Sequence, residues 1–395
     1  MLDAPREGIP DVVTDSRQLA ETVARFAAGH GSWALDAERA SGYRYSQRAY
    51  LVQLRRAGAG TALVDPIACA DLSPLMAAMD GAEVVLHAAH QDLPCLAELG
   101  LYPSRLFDTE LAGRLLGYQR VGLATITEQM LGVGLAKEHS AADWSLRPLP
   151  VDWLRYAALD VELLVELRDA LEAELRASGK LEWAREEFAA VLATPPRPPR
   201  NDPWRRTSGI HRVRTQRGLA AVRELWQERD QIAQQRDLAP GRVLPDAAIV
   251  AAASAMPTSP GQLAALKPFV PRVARRHVST WFAAVRRAKT MPAEELPQSN
   301  PPGDGPPAGN RWADRDPAAA RRLTAARGVI SEIAEQVGMP TENLLQPDAL
   351  RRLAWAPPAS LDTESVAGQL RDNHARYWQR ELTAEQLATA LHNAK

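Results

Sequence analysis

Two carboxylates in the segment "LDAER" (Leu35–Arg39) are spaced so that a β-strand would bring them together. Asp36 and Glu38 lie two residues apart at the end of an apolar run that predicts a strand. Residues i and i+2 of a strand point to the same face, so both side chains would converge on one site. A pair of this kind is most often solvated surface. Further acids are needed before it indicates a metal site.

A second candidate pair lies on a predicted helix. In "LRYAALDVELLVEL" (Leu154–Leu167), Tyr156 and Asp160 are one helical turn apart on a face otherwise made of leucines. Burying an unpaired carboxylate costs several kcal/mol, so Asp160 requires a compensating partner. The phenol of Tyr156 would point to the same place. It could orient a water molecule, but with an ordinary pKa of about 10 it is a poor general base.

Asp92 is the fourth acid of interest. It lies in "HAAHQDL", after a strand-like run and at the start of a helix, where it could be a plain N-cap. Asp36, Glu38, Asp92 and Asp160 together would supply four carboxylates with no thiol and no obvious histidine ligand. Such hard oxygen ligands suit Mg²⁺ or Mn²⁺ rather than zinc. Two of these ions about 4 Å apart are a recurring means of attacking a phosphodiester.

The elements that must position these acids can be read from short apolar runs and longer amphipathic ones. Alternation of the two indicates an α/β fold, a sheet covered by helices. We expect one uninterrupted helix over 151–175. Asp108, in "FDT", is interpreted as an N-cap or as a group that supports the site. The strand candidates are "SWALDAE", "RAYLVQL", "GTALVDP" and "EVVLHAA", and the helix candidates are "DLPCLAELG", "DTELAGRLLG" and "VDWLRYAALDVELLVELRDALEAEL".

Two proline-rich segments divide the chain of 395 residues. They are "TPPRPPRNDPW" (Thr194–Trp204) and "LPQSNPPGDGPPAGN" (Leu296–Asn310). They predict three domains, 1–195, 205–292 and 311–395, of which the last two show helical periodicity alone.

The last two domains also resemble each other in sequence. Arg236–Ala253 parallels Val337–Ala354, with a one-residue insertion before the second Pro-Asp. Each copy has a helix end, a short turn, an apolar pair and a new helix that begins near a proline. This degenerate repeat predicts two duplicated helical modules.

The overall charge of −1 conceals an asymmetry. Residues 1–195 carry 18 basic and 28 acidic side chains, a net of −10, and the remainder carries 29 and 20, a net of +9. The basic part either engages nucleic acid or carries charges that solvate surface helices. Arg272, Arg275 and Arg276 lie among aromatic residues and are candidates for phosphate contacts.

The cysteines and the apolar segments exclude several classes of protein. Cys69 and Cys95 form no CxxC pair, which argues against a zinc ribbon or a disulfide framework and favours a reducing compartment. The N-terminal segment has no signal-peptide pattern, and no run of 18 apolar residues occurs. We therefore expect a cytoplasmic protein without membrane association.

The segment Val12–Leu175 resembles the 3′–5′ exonuclease domain of the ribonuclease D family, which belongs to the tyrosine-bearing DEDD exonucleases. The resemblance lies in "LDAE", "HAAHQDL" and "YAALD", and in the stretches "LFDTELAGRLLG" and "KEHSAADWSLRPLPVDWLRYAALD". It implies an RNase H-like fold with a mixed sheet, and release of 5′-mononucleotides from a 3′ end. It also implies two divalent metal ions, Mg²⁺ or Mn²⁺, held by Asp36, Glu38, Asp92 and Asp160 beside Tyr156.

The resemblance extends to the helical part. "LAPGRVLPDAAIVAAA" (Leu238–Ala253) is similar to the helicase-and-RNase-D C-terminal (HRDC) domain, and 311–395 is similar to a diverged second copy. The expected architecture is thus an exonuclease domain followed by two all-α helical bundles. The first bundle is expected to bind nucleic acid, although such bundles also serve as protein-interaction modules.

Three basic residues of the first domain are candidate substrate contacts. Arg39 stands where the family usually has an aromatic residue near the terminal base, and it could stack through its guanidinium plane. Lys137 and Arg147 lie in the approach to Tyr156 and could hold substrate phosphates, although a solvated loop would look the same.

We therefore predict a monomeric 3′–5′ exoribonuclease that trims structured RNAs, tRNA precursors first. Asp36 would bridge both metals, Glu38 and Asp160 would complete the nucleophile side, and Asp92 would hold the second ion. The alternatives are a DNA 3′–5′ exonuclease acting in repair, since the same carboxylates cleave either backbone, and a non-catalytic nucleic-acid-binding protein.

Overall fold

The computed structural model describes residues 1–136, 142–196, 198, 200–269, 272–299, 305–307 and 311–394, and only the backbone of Arg272 and Val273. The first part of the chain forms strands and helices in mixed order. The strands are β1 (Val12–Val13), β2 (His30–Arg39), β3 (Ala49–Ala57), β4 (Gly60–Val64), β5 (Glu83–Leu86) and β6 (Arg105–Asp108). The helices are α1 (Ser16–Ala27), α2 (Ser73–Met79), α3 (Leu93–Glu98), α4 (Thr109–Leu115), α5 (Leu123–Leu131), α6 (Val151–Glu162), α7 (Leu164–Ala177) and α8 (Leu181–Ala193).

The strands form one mixed sheet in the order β1-β4-β3-β2-β5-β6. Strand β3 runs antiparallel to both of its neighbours, whereas β1–β4, β2–β5 and β5–β6 are parallel pairs. The four predicted strands are present, and the predicted mixed sheet with helical cover is confirmed. The sequence did not predict β1 or β6, which are two and four residues long. Strand β2 is central, so its side chains can be covered by helices.

The predicted single helix over 151–175 is wrong, because the backbone leaves the helical region at Leu163 (φ −112°, ψ 10°). The break divides the apolar stripe between two cores. Ala157 and Ala158 of α6 pack with Trp144 against β3, whereas the leucines of α7 enter the main core of the sheet. The change of axis thus lets α6 carry the candidate catalytic side chains while α7 anchors the domain.

Helices alone form the rest of the described chain. The central helical module consists of α9 (Gln216–Arg236), α10 (Pro240–Val243), α11 (Asp246–Ala255), α12 (Pro260–Ala265), α13 (Arg272–Arg275) and α14 (Val278–Thr290). The C-terminal helical module consists of α15 (Trp312–Arg315), α16 (Pro317–Val337), α17 (Thr341–Leu344), α18 (Pro347–Trp355), α19 (Thr363–Asp372) and α20 (Tyr377–Asn393). Helices α9 and α16 are each 21 residues long, end in a left-handed cap and precede a four-residue helix. The two modules therefore share the element order that their sequences suggested.

The two modules differ in how they are held. The central module has a hydrophobic core of its own around Trp281 and Phe269, whereas much of the C-terminal module packs into the core of the sheet domain. The buried Lys180 lies at this contact. Its Nζ donates to the carbonyl of Leu115 at 2.7 Å and to that of Gly338 at 3.2 Å. Within the described residues, no helix is both long and apolar enough to span a bilayer.

Candidate active site

Three of the predicted acids meet at the end of β2. One carboxylate oxygen each from Asp36, Glu38 and Asp160 lie within 4.8 Å of one another. Asp36 and Glu38 project from the same face of β2, as period-2 alternation requires, and α6 crosses that face and brings Asp160 opposite them. Glu38 is buried, whereas Asp36 and Asp160 are partly exposed. The site is thus a group of three carboxylates, two of which remain partly accessible to solvent.

Burial favours the protonated form of each of these acids, and repulsion by neighbouring carboxylates adds to this effect for Glu38 and Asp160. Burial raises the pKa of Asp36 to about 6, against the pull of the Ala37 backbone amide and of Arg39. The pKa of Glu38 is raised well above its ordinary value by burial and by the charges of Asp36 and Asp160. Burial and the charge of Asp36 raise the pKa of Asp160. The protein alone therefore does not compensate the negative charge that it gathers here.

Asp92 lies beside this group rather than within it. Burial and the neighbouring charge of Asp36 raise its pKa to about 8. It occupies the N-cap position of α3, but its side chain makes no capping hydrogen bond within the described part of the chain. Its charged partner is Arg39, whose Nη2 lies 3.7 Å from Asp92 Oδ1. The plain N-cap interpretation of Asp92 is therefore disfavoured, and its carboxylate remains available to a cation.

Asp108 accepts hydrogen bonds from the turn that precedes Asp92 and so fixes its position. Its Oδ1 accepts hydrogen bonds from the backbone amides of Glu110 (3.0 Å) and Leu111 (3.1 Å), so it caps α4. The same carboxylate accepts from Ala88 (3.1 Å) and Ala89 (2.9 Å), in the turn before Asp92. Both interpretations of Asp108 from the sequence thus apply at once. Four donors on one buried carboxylate fix β6 and the turn relative to each other.

Tyr156 lies on the same face of α6 as Asp160 and hydrogen-bonds to its carboxylate. Burial, followed by the charges of Asp160 and Glu38, raises the pKa of the phenol far above its ordinary value. The ring faces Trp144, with centroids 6.4 Å apart, and Trp144 is fully buried. Tyr156 is therefore a hydrogen-bond donor to Asp160 that packs beside the buried Trp144 ring, and the raised pKa of its phenol disfavours a role as proton acceptor.

Arg147 is a structural residue, and the structure does not favour its predicted phosphate contact. Its guanidinium pairs with Asp65 through Nε (2.6 Å) and Nη2 (2.9 Å). The remaining donors reach the carbonyls of Trp144 (2.9 Å), Leu146 (2.7 Å) and Tyr50 (2.7 Å). All five N–H groups of the side chain are engaged within the protein. The sequence showed the charge but not these long-range acceptors.

The other predicted substrate contacts remain predictions. Arg39 is near the acids, as expected, and its observed partner is Asp92. Lys137 lies outside the described residues, as does the side chain of Arg272. Arg275 and Arg276 are exposed at the end of α13, where they can be reached by a polyanion.

Gln53 is a residue that the sequence reasoning missed. It stands opposite Asp36 in the antiparallel β2–β3 register, so the two side chains share a face of the sheet. Gln53 is fully buried, and among the described residues its Oε1 and Nε2 have no hydrogen-bond partner. A polar residue at a core position of "YLVQL" was the signal that could have found it.

The donor set fits a divalent metal ion. The ligand atoms are carboxylate oxygens, the kind that Mg²⁺ and Mn²⁺ prefer. Their raised pKa values and their close approach are what a cation would relieve. The acidic group therefore has the donor set that a divalent metal ion requires, with Asp92 as an adjacent ligand candidate.

Family comparisons agree with this geometry. Residues 10–176 match the family described as 3′–5′ exonuclease, 218–285 match the HRDC domain, and 305–391 match the 3′ to 5′ exonuclease C-terminal domain. This last description differs from the second HRDC-like copy expected from the sequence, whose assignment stays a prediction.

Individual relatives cover most of the chain. Ribonuclease D of Nitrobacter hamburgensis is 33% identical over 74% of this chain and 77% of its own length. Ribonuclease D of Pseudomonas paraeruginosa is 30% identical over 84% and 85%. A crystal structure of a protein from Bifidobacterium adolescentis superposes with a TM-score of 0.92 at 40% identity, covering 99% of both chains. That of Escherichia coli RNase D, described as an exoribonuclease involved in structured RNA processing, gives 0.69 at 28% identity over 97% and 98%.

Proposed function

The chain belongs to the ribonuclease D family, and on that premise we propose that it is a metal-dependent 3′–5′ exoribonuclease. It removes 5′-mononucleotides one at a time from the 3′ ends of structured RNAs, including tRNA precursors. The observation that carries the proposal is the convergence of Asp36, Glu38 and Asp160 within 4.8 Å beside Asp92. Clustered acids of raised pKa serve no packing purpose, but they suit the binding of cations.

Each side chain has a role in this proposal. Two Mg²⁺ or Mn²⁺ ions would be held by the four acids, with Asp36 shared between them, Glu38 and Asp160 on the nucleophile side and Asp92 on the other. Bound metal would supply hydroxide at neutral pH and stabilise charge on the leaving oxygen. Because the single O–H of Tyr156 donates to Asp160, its phenol oxygen would accept a hydrogen bond from the attacking water and so orient it. Arg39 in the first domain and the exposed Arg275 and Arg276 of the central module would hold the RNA.

The test is release of nucleoside monophosphates from a 3′-labelled oligoribonucleotide. EDTA and the Asp36→Asn substitution should each reduce the rate by roughly 10³-fold or more, since metal stabilisation of transition-state charge is worth several kcal/mol. The matched control is Asp169→Asn, an exposed acid of α7 that should keep full activity. Activity that survived both treatments would refute the metal-dependent mechanism.

The same assay on a DNA strand of identical sequence decides the substrate. Faster release from RNA supports the proposal, whereas faster release from DNA would assign the protein to DNA processing. Binding of RNA without any release, in the presence of Mg²⁺ or Mn²⁺, would make it a non-catalytic nucleic-acid-binding protein.

A further inference from the structure

The loop Ala40–Arg48 connects the end of β2 to β3, and we name it the junction loop. It begins two residues after Glu38 and is described in full. Its two tyrosines pack on different sides. Tyr43 packs against the cluster that contains Trp144 and Tyr156, and Tyr45 packs against the core of the central helical module. The junction loop therefore lies between the candidate active site and that module.

Asp237 of the central module fixes the middle of the junction loop. Its Oδ1 accepts hydrogen bonds from the backbone amides of Tyr45 (3.1 Å) and Ser46 (2.9 Å). The phenol of Tyr45 donates to Asp230, about two turns before Asp237 on α9, at 3.2 Å. Asp237 is the C-cap of α9 and has a left-handed backbone (φ 45°), so its side chain is directed by the end of that helix.

Further contacts hold the first half of the junction loop. The backbone amide of Ala239 donates to the carbonyl of Tyr43 at 2.9 Å. Arg242 Nε donates to the carbonyl of Gly42 at 2.8 Å, and its guanidinium lies 4.0 Å from the centroid of the Tyr43 ring. The start of α10 thus contacts two backbone carbonyls of the junction loop, those of Gly42 and Tyr43, and the aromatic ring of Tyr43.

On its other side the junction loop is hydrogen-bonded to the segment that carries Trp144, whose ring forms the wall behind Tyr156. Arg44 Nε donates to Ser145 Oγ at 2.8 Å. Ser145 follows Trp144, whose buried ring faces Tyr156. A continuous series of contacts therefore runs from Asp237 and Arg242 through Tyr43 and Arg44 to the residue that donates to Asp160.

We infer that the central helical module is a positioning part of the active site, acting through Asp237 and Arg242 on the junction loop. This role is additional to any binding of RNA by the module, and it rests on the proposed function. Without these contacts the junction loop loses its acceptors and donors on one side, and the Trp144 wall loses the support of Tyr43. Tyr156 would then be held less firmly over the acids, and turnover would fall even for a substrate that never reaches the module.

The test uses two substitutions at Asp237 that leave the cap of α9 intact. Glycine and asparagine both accept a left-handed backbone, so neither change strains the helix end. Asp237→Gly removes the side-chain acceptor, and Asp237→Asn keeps it without the charge. The substrate is the p-nitrophenyl ester of thymidine 5′-monophosphate, a phosphodiester that carries a single nucleotide, assayed with Mn²⁺ in the full-length protein.

We expect Asp237→Gly to lower kcat on the small ester by about tenfold, the effect of losing one or two hydrogen bonds. Asp237→Asn should restore most of it. Equal kcat in all three proteins, with a higher KM for long RNA in Asp237→Gly alone, would show that the module only binds RNA and would overturn the inference.

A second measurement does not depend on catalysis. Amide hydrogen exchange over residues 142–149 should become several-fold faster in Asp237→Gly and remain unchanged in Asp237→Asn. Unchanged exchange in both variants would overturn the inference. If the wild-type protein released no mononucleotide from any substrate, the proposed function would fail, and the exchange result would still decide whether the module supports the wall.

Discussion

The phenol of Tyr156 donates a hydrogen bond to the carboxylate of Asp160, one turn further along α6. This contact lowers the pKa of a carboxyl group that burial and the charge of Asp36 otherwise raise. Tyr156 is the one predicted catalytic residue that is not an acid, and this hydrogen bond joins it to the group formed by Asp36, Glu38 and Asp160. The arrangement uses the single O–H of Tyr156 on Asp160 and leaves the phenol oxygen as an acceptor that can orient a water molecule. This orienting effect on the reaction can be separated from that of a base.

Replacing Tyr156 by phenylalanine should lower kcat roughly tenfold, as expected for one lost hydrogen bond of about 1 kcal/mol or slightly more. The pH dependence of the rate should keep its shape, because the phenol does not titrate in the working range. Steady-state rates from pH 6 to 9 test this. Loss of a basic limb in the variant would instead identify Tyr156 as a proton acceptor.

The stability of the metal-free protein should fall as pH rises. The pKa of Asp36 is raised from 3.8 to about 6 and that of Asp92 from 3.8 to about 8. Between pH 4 and 8 the folded state therefore binds more protons than the unfolded state, and the free energy of unfolding decreases with pH. Urea unfolding in EDTA at several pH values measures this slope.

Two comparisons isolate the cause of that slope. Asp92→Asn should make the free energy of unfolding less dependent on pH toward pH 8. Saturating Mg²⁺ should restore the stability that is lost at high pH, because it binds the ionised acids. A slope that was the same in wild type and Asp92→Asn would contradict the raised pKa of Asp92.

Asp108 should affect metal affinity although its own carboxylate is occupied by backbone amides. Asp108→Ala removes the acceptor that holds Ala88 and Ala89, so the turn before Asp92 loosens. We expect an increase of about 10–100-fold in the Mg²⁺ concentration needed for half-maximal activity. Asp108→Asn should be milder, since Oδ1 accepts three of the four hydrogen bonds. Equal metal dependence in all three proteins would contradict the role.

Arg147 should matter for stability and not for substrate affinity. Arg147→Lys keeps the charge but cannot reach the five acceptors, and a loss of about 2 kcal/mol in the free energy of unfolding is expected. The KM for RNA of the remaining folded protein should be unchanged. Arg155→Lys, at an exposed ion pair on α6, is the matched control and should be neutral. A raised KM with unchanged stability would restore Arg147 as a phosphate contact.

The sequence by itself determined the local part of the site. A strand period places Asp36 and Glu38 on one face, and one helical turn places Tyr156 beside Asp160, because both relationships depend only on backbone geometry. For the same reason, the sequence pattern was enough to predict strands β2 to β5 and the division of the chain into a mixed α/β domain followed by helices. The resemblance to the ribonuclease D family rested on those same segments.

Only the tertiary structure decided the relationships between distant segments. In the tertiary structure the long helix is interrupted at Leu163, and Arg147 pairs with Asp65 and three backbone carbonyls. The junction loop lies between Asp237 and the Trp144 ring behind Tyr156. Each of these depends on partners far apart in sequence, and a residue type alone does not reveal which acceptor it will meet. Periodicity sets the direction of a side chain. The packing of the whole chain decides whether that side chain is available to bind substrate or is already bonded to other residues of the protein.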